Sequence, residues 1–297
     1  YDAAVAGGAG IVVGPLSKQA VAELATRPDR AIPVLALNRI DSEDSPVVGS
    51  SALVQFALAP EDEARNIADI AFGQGARDAM IMRPEGDWGS KVAQALIDRW
   101  QELGGTITSS VTFRGREDYS ASVKEALAIP ASEARAKALQ GILGNQLEFN
   151  ARRRQDVDAV FLLSNSGAEA RSLKPLLAFH YAGSIPVYAI SGIYSGIPDP
   201  RDRDLEGINF VEIPWLLDGD LELRNTIKEG KTGTDSYARL NALGTDAFLL
   251  QSQFLRLQAG ADALFRGNTG VLTMDPSLHI QRELALAKFD DGAITAQ

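Results

Sequence analysis

The chain contains no cysteine, which excludes disulfides, thiolate metal sites and thiol nucleophiles together. Only two histidines occur, His180 and His279, and neither has another histidine or a cysteine at metal-ligand spacing. No metal and no cofactor is therefore expected. Basic charge is also scarce. The formal net charge is −10, against the clustered Lys and Arg that phosphate-backbone binding requires, so no nucleic-acid partner is expected. No apolar run approaches the roughly 20 residues that span a bilayer, and no signal-peptide pattern opens the chain.

Catalytic signatures are equally thin. There is no Gly-x-Ser-x-Gly elbow, and no lysine has a serine three residues before it. Gly230-Lys231-Thr232 has the look of a phosphate loop, but Asn225 stands where the first glycine is needed and no strand leads into it. Gly7-Gly8-Ala9-Gly10 precedes a strand instead of following one, so it reads as a helix stop and not as a dinucleotide fingerprint. The chain is not expected to be an enzyme; isolated carboxylates alone would support an enzyme of the cell wall.

What is present is a pattern stated twice. An apolar run at Ile11–Val13 leads through Gly14-Pro15-Leu16-Ser17 into a helix around Gln19–Ala25, and a second apolar run follows at Ile32–Leu37. Asp158–Leu163 leads through Ser164-Asn165-Ser166-Gly167 into another helix, and Pro186–Ile190 follows. Each is a βαβ unit of a parallel sheet. With 297 residues, 45% of them hydrophobic, the chain has room for two α/β lobes. Two such lobes suggest binding between them more than any particular chemistry.

Further elements read similarly. Strands are expected at Val54–Leu58, Ala79–Met82, Thr106–Phe113 and Ile208–Ile213, and helices from Pro60, over Lys91–Leu103, Tyr119–Ala128 and Ala131–Phe149. A long helix at 236–259 places Leu240, Leu243, Ala247, Leu250 and Phe254 on one buried face. Asp290-Asp291-Gly292 signals a hairpin between Leu284–Phe289 and Ala293–Thr295. The opening Tyr1-Asp2-Ala3-Ala4-Val5 reads as the middle of a helix, so the natural N-terminus is expected upstream.

Two groups of residues are candidates for function. At strand-to-helix turns, Ser17, Ser164, Asn165 and Ser166 offer donors beside free helix N–H groups, as either ligand donors or helix caps. Arg152-Arg153-Arg154-Gln155-Asp156-Val157-Asp158 is a mixed-charge cluster ahead of a strand. It reads as a solvated edge, a salt-bridged anchor for the helix Ala131–Phe149, or a docking patch formed by Arg152, Arg153, Arg154, Asp156 and Asp158.

Several blocks carry a family resemblance. Val12-Val13-Gly14-Pro15-Leu16, Ile32–Asn38, Phe56-Ala57-Leu58-Ala59-Pro60-Glu61-Asp62-Glu63-Ala64, Arg152–Val160, Glu212-Ile213-Pro214 and Gly267-Asn268-Thr269-Gly270 resemble, in order, the LpoA/LppC lipoprotein family of penicillin-binding protein activators. The resemblance implies a type I periplasmic-binding-protein-like fold, with residues 1–59 and 214–268 in lobe 1 and residues 60–213 and 269–297 in lobe 2. It also implies that the first strand, helix and second strand of lobe 1 lie upstream, leaving that lobe N-terminally incomplete here. The implied function is a non-enzymatic periplasmic regulator that activates a class A penicillin-binding protein by contact. Its membrane link would be a lipid anchor outside this chain, in the outer membrane. The competing reading is a solute-binding receptor for a branched-chain amino acid or similar small ligand. Leu16 weakens it, because it stands where a polar grip on a carboxylate would be useful.

Overall fold

The computed structural model of the chain describes residues 1–40, 52–143, 149–217, 221–229, 237–259 and 263–297. The expected polar loop at 41–46, the segment Gly230-Lys231-Thr232 and the Phe254 side chain lie outside the described parts.

In chain order the first elements are α1 (Asp2–Ala6), β1 (Val12–Val13), α2 (Lys18–Ala25), β2 (Val34–Ala36) and β3 (Leu53–Phe56). Then follow α3 (Pro60–Gly73), β4 (Asp78–Pro84), α4 (Asp87–Glu102), β5 (Thr106–Phe113), α5 (Tyr119–Ala126) and α6 (Ile129–Leu143). Next come β6 (Ala159–Leu162), α7 (Gly167–Phe179), β7 (Val187–Ala189) and β8 (Ile208–Glu212), with short 3-10 turns at Ser191–Ile193 and Pro200–Leu205. The chain ends with α8 (Pro214–Leu217), α9 (Leu221–Glu229), α10 (Ala238–Ala259), β9 (Phe265–Gly267), β10 (Gly270–Met274), β11 (His279–Glu283), β12 (Ala285–Asp290) and β13 (Ala293–Ala296).

These elements divide into two units: Tyr1–Asp62 with Ile213–Ala285, and Glu63–Glu212 with Leu286–Gln297. Unit 1 has one six-stranded sheet, β1-β2-β3-β11-β10-β9, parallel from β1 through β11 and antiparallel over its last pairs. Unit 2 has a seven-stranded sheet, β13-β12-β8-β7-β6-β4-β5, parallel from β8 to β5. Both repeated βαβ units are seen: β1 pairs parallel with β2, and β6 with β7. Residues 269–285 depart from the expected division. β10 and β11 complete the sheet of unit 1, because β11 pairs parallel with β3. Only the last hairpin goes to unit 2.

In unit 1, α10 covers one sheet face with Leu243, Ala247, Leu250 and Leu257 against Leu35, Val54, Phe56, Leu272 and Ile280. Leu240, expected on that buried face, is instead 40% exposed, in the first turn of the helix. The other face is packed by Val21 and Ala25 of α2. Among the described residues β1 ends the sheet. Val12 and Gly14 donate toward β2, so the backbone groups of Val13 point away from the ladder. Val13, Leu16 and Phe248 are exposed.

A buried carboxylate locks this unit. Asp246, on α10 and fully buried, accepts from the Asn268 and Thr269 backbone N–H groups, the Asn268 amide and the Thr269 hydroxyl, at 2.6–2.9 Å. A Cβ on Gly267 would come within 2.6 Å of the carboxylate, so Gly-Asn-Thr-Gly is a cradle for Asp246. Arg39 forms a two-pronged bond to buried Asp62.

Unit 2 is packed by aromatics. Trp100, fully buried, meets Phe72 and Phe161 edge-on, with centroids 5.7 and 5.1 Å away. Phe210 stacks on Phe289 at 4.8 Å. The indole N–H of Trp100 donates to the Thr106 carbonyl, and a Cβ on Gly105 would sit 2.3 Å from that nitrogen. α4 begins at Asp87, four residues before the expected start. Gly89 fits inside its first turn only because it lacks a Cβ, which would lie 2.2 Å from the Pro84 carbonyl. The helix expected at Tyr119–Ala128 and the described part of that expected at Ala131–Phe149 meet at Ala128, whose φ of 55° breaks the chain between α5 and α6; residues 144–148 lie outside the described parts.

Candidate functional site

In parallel sheets the carboxyl ends of the strands are the usual ligand side. Three of the four candidate donors share that edge in unit 2, at the β6–α7 turn; Ser17 lies in unit 1, at the β1–α2 turn. Ser164 is fully buried and already committed. Its hydroxyl donates to Glu169 at 2.6 Å and accepts from the Ser166 N–H at 3.1 Å. Ser166 and Ser17 occupy helix N-cap positions, in extended backbone, without a side-chain capping bond. Asn165 is exposed, and its side-chain amide has no hydrogen bond among the described residues.

Neighbouring loops close tightly around this turn. A Cβ on Gly192 would lie 2.7 Å from the Asn165 Cα, and one on Gly167 would lie 2.6 Å from the Ile193 carbonyl. Glu63, buried at the start of α3, accepts from the Ser191 N–H at 2.9 Å. Arg83 donates to Ser90, and Arg114 pairs with Glu85 at 2.9 Å. Burial, with the nearby Glu169 charge, pushes the Tyr119 hydroxyl above its ordinary range. Ser164 thus faces a carboxylate and not an imidazole, an arrangement suited to holding a turn closed. Among the described residues no group of three His, Asp or Glu side chains is placed to hold a metal.

The basic cluster lies at the opposite, amino-terminal edge of the unit 2 strands. There it works as a strap. The Arg152 N–H donates to the Ser132 hydroxyl on α6, and the Arg154 N–H to the Leu127 carbonyl at the end of α5. The Arg154 guanidinium reaches the Thr108 carbonyl in β5 and pairs with Asp156 at 2.8 Å, which holds the Asp156 carboxyl down at about 2. Arg153 donates to the Tyr181 carbonyl just after α7. Asp158 accepts from the Arg77 and Asp78 N–H groups at the start of β4. The side chains of Arg154, Asp156 and Asp158 are therefore spent on anchoring. The Arg152 guanidinium is exposed and has no bonded partner among the described residues. A groove of about 430 Å³ beside it is lined by Asn150, Ala151, Arg152, Arg153, Gln155 and Tyr181. The sequence singles out the arginines but carries no motif that marks Tyr181, whose place in the groove depends on the fold.

Two units built on mainly parallel sheets, each flanked by helices, define a periplasmic-binding-protein-like α/β protein, and comparison with solved structures agrees. The LpoA (YraM) C-domain of Haemophilus influenzae, described as a regulator of PBP1A, superposes with a TM-score of 0.78 at 24% identity, covering 100% of this chain and 84% of that one. The structure of "a putative branched-chain amino acid ABC transporter" from Chromobacterium violaceum gives 0.70 at 26% identity, covering 97% and 83%. A family model described as "LppC putative lipoprotein" matches residues 1–292, and the chain belongs to that family. Among curated relatives, the penicillin-binding protein activator LpoA of Escherichia coli K12 is 31% identical over 302 residues, 97% of this chain and 44% of its own length. That of Photobacterium profundum is 27% identical over 293 residues, 98% and 47%. The chain spans less than half the length of these relatives.

Proposed function

We propose that this chain is the periplasmic-binding-protein-like part of an activator of a bifunctional peptidoglycan synthase, a class A penicillin-binding protein. One observation carries the reading: the family match runs from residue 1 to 292, and the relatives matched over nearly the whole chain are named activators. The geometry is in keeping with it. The strand-end hydroxyl of Ser164 is turned inward, and the loops around it are closed on one another, as suits a scaffold that acts by protein contact without catalysis. The protein works in the periplasm, and a lipid group outside this chain holds it to the outer membrane. The test is a glycan-polymerisation and crosslinking assay with the purified synthase of the same organism and the full-length protein. Stimulation supports the reading; an unchanged rate with a competent synthase removes it.

A second reading, a receptor for a small solute, draws on the 26% identity to the Chromobacterium violaceum protein and on the unbonded amide of Asn165. A thermal-shift screen tests it. A true ligand at a hundredfold excess over Kd adds about 2.7 kcal/mol, readily seen as a higher melting temperature. No shift with any amino acid removes this reading.

A further inference from the structure

Three helix ends share a glycine pattern that α7 breaks; α5 breaks it too, but with the small Ala128 at φ of 55°. After α1, α3 and α4, the chain turns through a left-handed residue whose own N–H and the next N–H bond back into the helix. Glycine fills that position each time: Gly8, Gly75 and Gly104, with φ of 78°, 100° and 90°. α7 ends in the same way. The Tyr181 N–H donates to the Ala178 carbonyl and the Ala182 N–H to the Leu177 carbonyl, but the left-handed residue is a tyrosine with φ of 63°. A side chain is disfavoured there by backbone sterics. Core packing does not explain it, since Tyr181 is 76% exposed.

Its surroundings suggest what the ring is for. Phe179, two residues earlier, is 74% exposed, and Tyr181 lines the same groove as Arg152 and Arg153. Exposed Tyr and Arg in one groove are typical of an interface centre. The charge is local and opposite to that of the chain as a whole, which is −10. Nearby, Asp156 is already paired with Arg154, which leaves Arg152 free to take an outside carboxylate. His180, between the two aromatics, is buried and held below its ordinary pKa mainly by that burial, with Lys124 adding to it and Glu133 opposing.

Resting on the activator reading, we propose that this groove at the amino-terminal edge of the unit 2 sheet docks an acidic segment of the synthase. Arg152 pairs with one of its carboxylates, and Tyr181 covers an apolar side chain within it. Complementary charge of this kind steers encounter and selects the partner.

The test measures binding of the purified synthase to the full-length protein, to Tyr181→Gly and to Arg152→Glu. Tyr181→Gly places the residue this turn prefers, so its melting temperature stays level or rises while affinity falls about tenfold. Arg152→Glu breaks no internal side-chain bond. It too weakens binding about tenfold, with a loss that shrinks as salt is raised. If wild type binds and both variants bind equally well, docking is elsewhere and the activator reading stands. If wild type neither binds nor stimulates the synthase, the activator reading fails and this site with it. Binding of isolated peptidoglycan sacculi that is lost in the variants, with synthase binding intact, overturns the acidic-protein occupant in favour of a glycan polymer.

Discussion

The two units solve the same sheet with different fasteners. Unit 2 buries Trp100 among Phe72 and Phe161, stacks Phe210 on Phe289, and straps the amino-terminal edge of its sheet with residues 152–158. Unit 1 packs Leu, Val and Ile side chains around Phe56 and also buries Trp215, but its locks are polar: Asp246 in the Gly-Asn-Thr-Gly cradle, and Arg39 on Asp62. Apolar packing tolerates approximate fit, whereas a buried carboxylate is stable only when its lone pairs are filled. Unit 1 should therefore be the more sensitive to the loss of one polar atom, and unit 2 to the loss of volume.

The largest effect should come from Trp100→Ala, which empties the aromatic centre of unit 2 at a cost of about 3–5 kcal/mol. Hydrogen exchange should quicken throughout β4–β6 while unit 1 keeps its protection; equal loss in both units would break the comparison. Asp246→Ala should cost about 2–3 kcal/mol, because it strands buried donors around Asn268 and Thr269. Here exchange should quicken in β9–β11 and α10, and a urea midpoint within error of wild type would refute the lock.

Acid should weaken both units through their single histidines, by different routes. Burial is the main cause that lowers His180 in unit 2 and His279 in unit 1. The folded protein then binds fewer protons than the unfolded chain below the ordinary histidine value of 6.5, so this stability is present above it and lost as pH falls through the window beneath. In unit 1 the Arg39 charge adds to the lowering while Asp275 and Asp62 oppose it, and hydrogen bonds set the tautomer. The Gln55 carbonyl accepts from the Ile40 N–H, so its amide must donate to His279 Nε2, which places the ring proton on Nδ1 toward Asp275. A second proton on Nε2 would face that amide donor. Replacing His279 with Gln should flatten the acid limb for unit 1, and replacing His180 with Gln should flatten it for unit 2, as read by unit-resolved exchange between pH 7.5 and 5. An unchanged limb in both would discount these groups. The smallest effect is the gain from Tyr181→Gly, up to about 1 kcal/mol, seen as a slightly raised melting temperature.

Much of this architecture is legible in the residues. The two βαβ repeats and the Asp290-Asp291-Gly292 hairpin are local patterns of apolar runs and turn residues, and they appear with small shifts of boundary. What escapes depends on distant partners. β11 joins unit 1 only because it pairs with β3, more than 200 residues earlier in the chain. α8 and α9 are only 4 and 9 residues long, too short for a period to stand out. Of the candidate site, the arginines stand out as a charge run, but their division into anchors and a free guanidinium depends on where Thr108, Leu127 and Tyr181 fall in space. Ser164 was visible as a polar residue at a strand end; its inward bond to Glu169 was not.

The most direct measurement is the rate of glycan polymerisation by the purified bifunctional synthase, with and without the full-length protein. A clear stimulation by wild type is expected, reduced in Arg152→Glu and Tyr181→Gly and retained in Ser164→Ala once folding is verified. A synthase whose rate is the same with and without the wild-type protein would contradict it.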